Sequence, residues 1–157
     1  MNYRRGVSAF ILNDKKEFIL VLDTKGKTKE LDYWKIPAGG IENNETEEET
    51  LIRELKEELD IENNEIKIIG KSKFIDELNW SKETSEKKFK STGIWRDGQR
   101  RTVFIVKLLN QNKNFKLQEN EVLDIIRVNK NNFKKYINNK IQLTLMNNII
   151  NEFKEYF

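Results

Sequence analysis

The chain has 157 residues, with 29 Lys and Arg against 26 Asp and Glu, a formal net charge of +3, and neither His nor Cys. The missing residue types exclude a Ser-His-Asp triad, a thiol nucleophile, disulfides and a zinc site of the His/Cys kind, so carboxylates must carry any metal binding or proton transfer. With 37% hydrophobic and 35% charged residues, no signal-peptide pattern and no long apolar stretch, the sequence predicts one globular, cytoplasmic domain over residues 1–157 without a membrane partner.

The first forty residues predict a β-hairpin and then a turn. Two apolar runs, Gly6–Leu12 and Glu17–Leu22, stand on either side of a short polar segment, as in a hairpin. A polar loop over residues 25–32 leads to Tyr33–Gly40, where Pro37 stiffens the backbone and two glycines permit unusual dihedral angles. We expect this last segment to be a turn.

The rest of the chain predicts two helices and three strands. Thr46–Leu59 carries apolar residues at helical spacing and glutamates in its first turn, where the helix dipole favours them. The predicted strands are Ile66–Asp76, Thr102–Leu109 and Val122–Val128. The last predicted helix runs from about Ile141 to the end of the chain, with its inner side formed by Leu145, Met146, Ile149, Ile150 and Phe153. This order of elements predicts an α/β sandwich with a mixed sheet.

Negative charge is concentrated in one region of an otherwise basic chain. Residues 39–60 hold nine acidic residues against two basic ones. Spacings of three and four residues place Glu54, Glu57 and Glu58 on one side of the predicted helix. Like charges at these spacings cost roughly 0.2–0.5 kcal/mol per pair, which a divalent cation with oxygen ligands would offset. The alternative, on the helix alone, is an ordinary acidic face in contact with solvent.

The residues around this helix form a longer pattern. Gly39, five residues, Glu45, seven residues and then Arg53–Ile61 resemble the Nudix box, G-x5-E-x7-R-E-U-x-E-E-x-G-U, in which U is a bulky aliphatic residue. Eight of the nine specified positions match, and Asp60 replaces the last Gly. The resemblance implies a single Nudix hydrolase domain with a Nudix-type α/β/α sandwich and a mixed β-sheet. It also implies metal-dependent hydrolysis of a diphosphate linkage in a nucleoside diphosphate-X substrate.

The resemblance assigns roles to the matching residues. It implies that Mg²⁺ or Mn²⁺ is held by Glu54, Glu57 and Glu58, joined by the backbone carbonyl of Gly39. Glu45 and Arg53 are implied to support the site, and Arg53 can hold carboxylates in place through charge-assisted hydrogen bonds. We expect Asp60 to end the helix in a left-handed conformation, which Asp tolerates at some cost.

Four further stretches resemble one branch of the family, the RNA 5′-pyrophosphohydrolases and dinucleoside polyphosphate hydrolases. They are Tyr3–Val7, Trp34–Ile41, Gly98–Phe104 and Glu121–Val128. The branch motif differs at several positions, among them a Gln replaced by Ala38 and a Trp replaced by Val103. The resemblance implies RNA 5′-triphosphate ends or dinucleoside polyphosphates as substrates.

The same resemblance implies that Arg4 contacts a terminal phosphate and that Gln99 and Arg101 line the nucleotide site. Glu121 is implied as a general base or a further metal ligand, with Glu119 as a rival for that role. An exposed charge is the alternative for Arg4, and a polar residue at a strand edge is the alternative for Glu121.

An insertion over residues 80–101 carries seven basic residues against three acidic ones, with Trp80, Phe89 and Trp95 interleaved. Basic residues attract phosphates and aromatic faces stack on nucleobases, so Trp80 and Trp95 are candidates for holding a nucleotide or an RNA 5′ end. The alternative is a flexible surface loop anchored by its aromatic side chains.

Three other functions remain open at this stage. One is a housekeeping (deoxy)nucleoside triphosphate pyrophosphatase of the nucleotide-cleaning kind. Another is a non-catalytic Nudix-fold module that binds a nucleotide, and the third is an RNA-binding protein that uses the basic insertion alone. The downstream proline typical of ADP-ribose hydrolases is missing, since Pro37 is the only proline, and ADP-ribose is therefore less favoured.

Overall fold

A six-stranded mixed β-sheet forms the centre of the fold. In the computed structural model, which describes residues 1–118 and 120–157, the strands are β1 (Tyr3–Leu12), β2 (Phe18–Asp23), β3 (Ala38–Gly40), β4 (Ile66–Asn79), β5 (Gly98–Leu108) and β6 (Val122–Val128). Their order is β4-β5-β1-β2-β6, and β3 pairs with β1. The β1 and β5 strands run parallel while the other pairs are antiparallel, which confirms the predicted mixed sheet.

Helices cover both faces of the sheet. The helices are α1 (Glu47–Leu59), α2 (Lys82–Thr92) and α3 (Lys140–Glu152). Leu51 and Leu55 of α1 pack on the face of β1 that carries Val7, whereas Met146 of α3 packs on the face that carries Phe10. Successive side chains of a strand point to opposite faces, so the two layers share one sheet and form the predicted α/β/α sandwich. None of the helices in the described ranges is long and apolar enough to cross a membrane.

The hairpin and the acidic helix are confirmed. The β1 and β2 strands pair antiparallel with Leu12 opposite Phe18, and β1 already begins at Tyr3. Thr46 is the N-cap of α1, and its hydroxyl accepts a hydrogen bond from the Glu49 N–H at 3.1 Å. At the other end, Asp60 has a φ of 55°, and its N–H donates to the carbonyl of Lys56 at 3.1 Å. Asp60 therefore closes the helix in the left-handed conformation expected of it.

Two predicted segments differ from the structure. Residues 38–40, predicted as part of a turn, form the short strand β3, because Gly6 of β1 lets the carbonyl of Gly39 approach where a Cβ would overlap it. The last helix ends at Glu152 rather than at the chain end. Beyond it the chain turns back and buries Phe157 edge-on against Phe10, with ring centroids 5.2 Å apart. This aromatic contact secures the C-terminus to the sheet.

The basic insertion contains a helix that the sequence did not predict. Ser81 is the N-cap of α2, with its hydroxyl accepting from the Thr84 N–H at 3.1 Å, and Gly93 ends the helix with a φ of 73°. Only Ser85 of this helix is buried. Because α2 lies on the surface, it has no apolar stripe that could have indicated it.

Candidate active site

A cleft of about 730 Å³ opens at the edge of the sheet where β1, β5 and β6 begin and β2 and β4 end. One wall is the acidic side of α1, and residues at the beginning of α2 also line the cleft. Residues from all six strands reach the cleft. The topology therefore brings together side chains that are far apart in the sequence.

Helix α1 supplies three carboxylates to the cleft, those of Glu54, Glu57 and Glu58. The Arg53 guanidinium binds two of them, with Nη1 donating to Glu54 Oε1 at 2.9 Å and to Glu57 Oε2 at 3.1 Å. Glu58 forms no ion pair within 4 Å in the part of the chain that the structure describes. Arg53 thus holds the orientation of two carboxylates and leaves the third without a cation.

Arg53 also joins α1 to the loop before it. Its Nε donates to Glu45 Oε1 at 2.6 Å, its Nη2 donates to Glu45 Oε2 at 3.0 Å, and Nη2 donates further to the carbonyl of Gly40 at 2.9 Å. These bonds to Arg53 lower the pKa of Glu45 to about 2. A carboxylate bound at both oxygens by one guanidinium is fixed in orientation. The Glu45–Arg53 pair therefore holds the loop before α1 in place against the helix.

Gly39 lies directly against the Glu54 carboxyl group. A Cβ at position 39 would overlap that carboxyl group, so the residue must be glycine for the two to approach as they do. This contact brings a backbone segment of β3 next to a carboxylate of α1. The backbone of β3 and the Glu54 carboxylate thus lie on one side of the cleft.

We expect Gly39→Ala to lower kcat about tenfold, since the added methyl group displaces the Glu54 carboxylate and an ångström-scale displacement of an active-site group is costly. The obstructing atoms are the far end of a flexible side chain, so the melting temperature should change little. Gly70→Ala is the matched control, because its Cβ would meet only ordinary contacts with Phe153 at 3.4 Å. Unchanged kcat in Gly39→Ala, measured in steady-state hydrolysis, would show that the close contact is not needed.

Burial disfavours the charged forms of two site carboxylates. It raises the pKa of Glu58 to about 8, with the negative charge of Glu54 adding to the effect and Lys35 opposing it. Burial likewise raises the pKa of Glu54, although the hydrogen bond from Arg53 counteracts the increase. The charge of Glu121, which lines the same cleft, contributes to both shifts. Negative charge on this wall is thus only partly balanced by the protein.

The donor set on this wall suits a hard divalent cation. Carboxylate and carbonyl oxygens are the ligands that Mg²⁺ and Mn²⁺ prefer, and Glu54, Glu57, Glu58 and the backbone of Gly39 provide them. Within residues 1–118 and 120–157, no three carboxylates converge closely enough to make a preformed site, because Arg53 draws Glu54 and Glu57 towards itself. A cation would compete with Arg53 for those oxygens while compensating the buried charge.

Three basic side chains also line the cleft. Arg4, Lys25 and Lys88 come from β1, from the loop after β2 and from α2. The Arg4 guanidinium lies directly against Gly40, where a Cβ would overlap it. Burial lowers the pKa of Lys88, and the charges of Lys25 and Arg4 lower it further. Among the residues that the structure describes, none of the three forms an ion pair within 4 Å, so they can attract anions to the cleft.

Arg101 is held in the cleft by a polar network on β4 and α3. Its Nη1 lies 3.5 Å from Oδ2 of Asp76, a residue that is only 5% exposed. The other oxygen, Asp76 Oδ1, accepts a hydrogen bond from Gln142 Nε2 at 2.9 Å. Gln142 therefore holds the Asp76 carboxylate in place beside the Arg101 guanidinium.

The structure brings most of the predicted site residues into one cleft. They are Arg4, Gly39, Glu54, Glu57, Glu58, Trp80, Gln99, Arg101 and Glu121. Arg53 does not line the cleft but donates hydrogen bonds to Glu54 and Glu57. Trp95 does not line the cleft either and packs against Phe89. Glu119 lies outside the described residues.

Sequence reasoning missed Lys25, Lys88 and Asp76. Nothing in the pattern marks Lys25, a lysine in a polar loop, or Lys88, one of four lysines in α2. Asp76 gives only a faint signal, an acidic residue in a strand that is otherwise partly apolar. These residues become recognisable when the sheet and α2 bring them to the cleft.

Comparisons with known proteins agree with this fold and site. A family model described as the NUDIX domain matches residues 2–144. An RNA pyrophosphohydrolase of Ruthia magnifica subsp. Calyptogena magnifica is 31% identical over 115 residues, covering 73% of this chain and 60% of that protein. One of Hydrogenovibrio crunogenus is 34% identical over 71 residues, covering 45% and 40%. The chain thus spans less than two thirds of the length of these curated relatives.

A solved structure shares the fold over almost the entire chain. The Escherichia coli dihydroneopterin triphosphate pyrophosphohydrolase superposes with a TM-score of 0.70 at 14% identity, covering 97% of this chain and 99% of that one. At this identity the likeness concerns the fold alone. Since the NUDIX domain model covers far more than half of the sequence, the chain belongs to the Nudix family.

Proposed function

We propose that this protein is a divalent-metal-dependent pyrophosphohydrolase that cleaves a diphosphate linkage in a nucleoside diphosphate-X substrate. The observation that carries the proposal is the charge of the cleft lining, in which the carboxylates of α1 and the basic side chains of Arg4, Lys25 and Lys88 line one cavity. A phosphate chain in the cleft would meet a cation site at the α1 carboxylates and basic side chains elsewhere along the lining. This arrangement suits substrates with several consecutive phosphates.

The residues of the cleft divide the work of hydrolysis. Glu54, Glu57, Glu58 and the Gly39 carbonyl would hold Mg²⁺ or Mn²⁺, which supplies neutralisation of phosphate oxygens and activation of water. Arg53 orients Glu54 and Glu57, and Arg4, Lys25 and Lys88 bind the phosphate oxygens that extend away from α1. Glu121, which lines the same cleft as Glu54 and Glu58, accepts the proton of the attacking water or adds a ligand. Other residues of the cleft would bind the nucleoside.

Trp80, Gln99 and Arg101 are the proposed nucleoside contacts. Lys88 Nζ lies over the Trp80 ring, 4.9 Å from its centroid. Trp80 is thus next to one of the proposed phosphate-binding side chains. An aromatic face at that place suits a base stacked beside its own phosphates. The substrate class that we propose is RNA 5′-triphosphate ends or dinucleoside polyphosphates, and the curated relatives named RNA pyrophosphohydrolases support the RNA ends.

A substrate panel tests the proposal. Purified protein with Mg²⁺ or Mn²⁺ is incubated with 5′-triphosphorylated RNA, diadenosine tetraphosphate, ADP-ribose and nucleoside triphosphates, and the products are identified by mass. We expect the polyphosphates to be cleaved faster than ADP-ribose, and chelation of the metal to stop turnover. If only nucleoside triphosphates were cleaved, the protein would be a nucleotide-cleaning pyrophosphatase. Binding without turnover on every member would make it a nucleotide-binding module.

A further inference from the structure

The surface of α2 and the loop after it carries basic side chains, several of which form no ion pair with the residues that the structure describes. Residues 80–101 hold seven basic and three acidic residues. Within the described ranges, Lys82, Arg100 and Arg101 have carboxylate partners within 4 Å, whereas Lys87, Lys88, Lys90 and Arg96 have none. Four unpaired cations on one short segment favour an anionic partner.

The same surface exposes aromatic and aliphatic side chains. Phe89 is 45% exposed and Trp95 is 41% exposed, and their ring centroids lie 6.2 Å apart at an interplanar angle of 58°. Ile94, between them in the sequence, is 48% exposed. We name Phe89, Ile94 and Trp95 the α2 aromatic face. In the part of the chain that the structure describes, this short segment combines solvent-exposed rings with lysines that form no ion pair. The combination suits single-stranded nucleic acid, since bases stack on rings while lysines bind phosphates.

The α2 aromatic face belongs to the same segment as residues of the cleft. Trp80, Thr84 and Lys88 line the cleft, and Phe89 lies on the same helix as Thr84 and Lys88. A polynucleotide with its 5′ phosphates in the cleft would therefore reach this face with its next nucleotides. A mononucleotide or a small phosphate ester would end before it.

We infer that the α2 aromatic face binds the downstream bases of a single-stranded RNA whose 5′-polyphosphate occupies the cleft. The inference rests on the proposed function and narrows its substrate class to RNA ends. Lys87, Lys90 and Arg96 contribute contacts to the phosphate backbone that do not depend on sequence. A dinucleoside polyphosphate lacks the downstream nucleotides and gains nothing from this surface.

The test compares kcat/KM on a 5′-triphosphorylated RNA octamer with kcat/KM on the corresponding mononucleoside triphosphate. In the native protein the octamer is favoured, and in a Phe89→Ala/Trp95→Ala variant the ratio of the two values falls about tenfold, as expected from the loss of base stacking. Tyr33→Ala is the control, because Tyr33 is similarly exposed, at 51%, and does not line the cleft. Its ratio stays at the native value. Equal ratios in the native and double-variant proteins would overturn the inference.

A binding experiment separates this inference from the proposed function. Fluorescence anisotropy with a 5′-hydroxyl RNA octamer and no divalent metal reports on the surface even if no substrate is hydrolysed. We expect Lys87→Gln/Lys90→Gln to weaken binding and to make its dependence on salt shallower. RNA binding that is absent, or binding to anionic lipid vesicles in its place, would overturn the inference. Turnover of diadenosine tetraphosphate would still support the proposed function in either case.

Discussion

Glu57→Gln is expected to lower kcat by about a hundredfold or more, because the substitution removes one anionic ligand from the proposed cation site. The fold should survive. The Glu57 side chain is 46% exposed and its one ion pair within 4 Å in the described ranges is with Arg53, at 3.1 Å. An exposed pair of this kind contributes little to stability. Steady-state hydrolysis over a range of Mg²⁺ concentrations measures the loss, and a higher Mg²⁺ requirement should accompany it.

Glu49→Gln is the matched control for this result. Glu49 lies on the same helix, is exposed and does not line the cleft. The same change of charge on α1 should leave kcat within about twofold, since a charge this far from the reacting phosphate is largely screened. If Glu57→Gln turned over at nearly the native rate, the metal assignment to α1 would be wrong. If both variants lost activity equally, the net charge of the helix would be responsible.

The sequence predicts best what depends on neighbouring residues. The helix around Glu54 follows from apolar spacing, and the left-handed end at Asp60 follows from its place after the last turn. The contacts of Arg53 with Glu45 and Glu57 could also be predicted, because the Nudix box fixes the spacing of these residues along a loop and one helix. Local geometry determines all of these features.

The basic side chains of the cleft were harder to predict. Lys25 and Lys88 line the same cleft because β2 ends and α2 begins at the same edge of the sheet, and their spacing along the chain does not indicate this. The end of α3 at Glu152 depends on Phe157 packing against Phe10, a contact between the two ends of the chain. Surface helix α2 buries only Ser85, so its sequence has no periodicity from which to predict it. Long-range pairing determines these features.

Glu58→Gln is expected to raise the melting temperature of the metal-free protein at pH 8 while removing most of its activity. Burial and the charge of Glu54 raise the pKa of Glu58 from 4.5 to about 8 in the folded protein. The folded state therefore holds this proton more tightly than the unfolded state, and stability present below pH 4.5 is lost as the pH rises through 8. Glutamine has no charge to bury, so the gain in melting temperature should be small at pH 5 and about 5 °C or more at pH 8.

Thermal unfolding at pH 5 and pH 8, with and without Mg²⁺, checks this expectation. Added Mg²⁺ should stabilise the native protein at pH 8 and should stabilise Glu58→Gln much less, because the variant lacks one anionic ligand and the buried charge of Glu58 that the cation would compensate. A variant that is less stable than the native protein at pH 8 would show that Glu58 is well accommodated as an anion without metal. The expected result would mean that the protein accepts an unfavourable buried carboxylate in exchange for an efficient cation site.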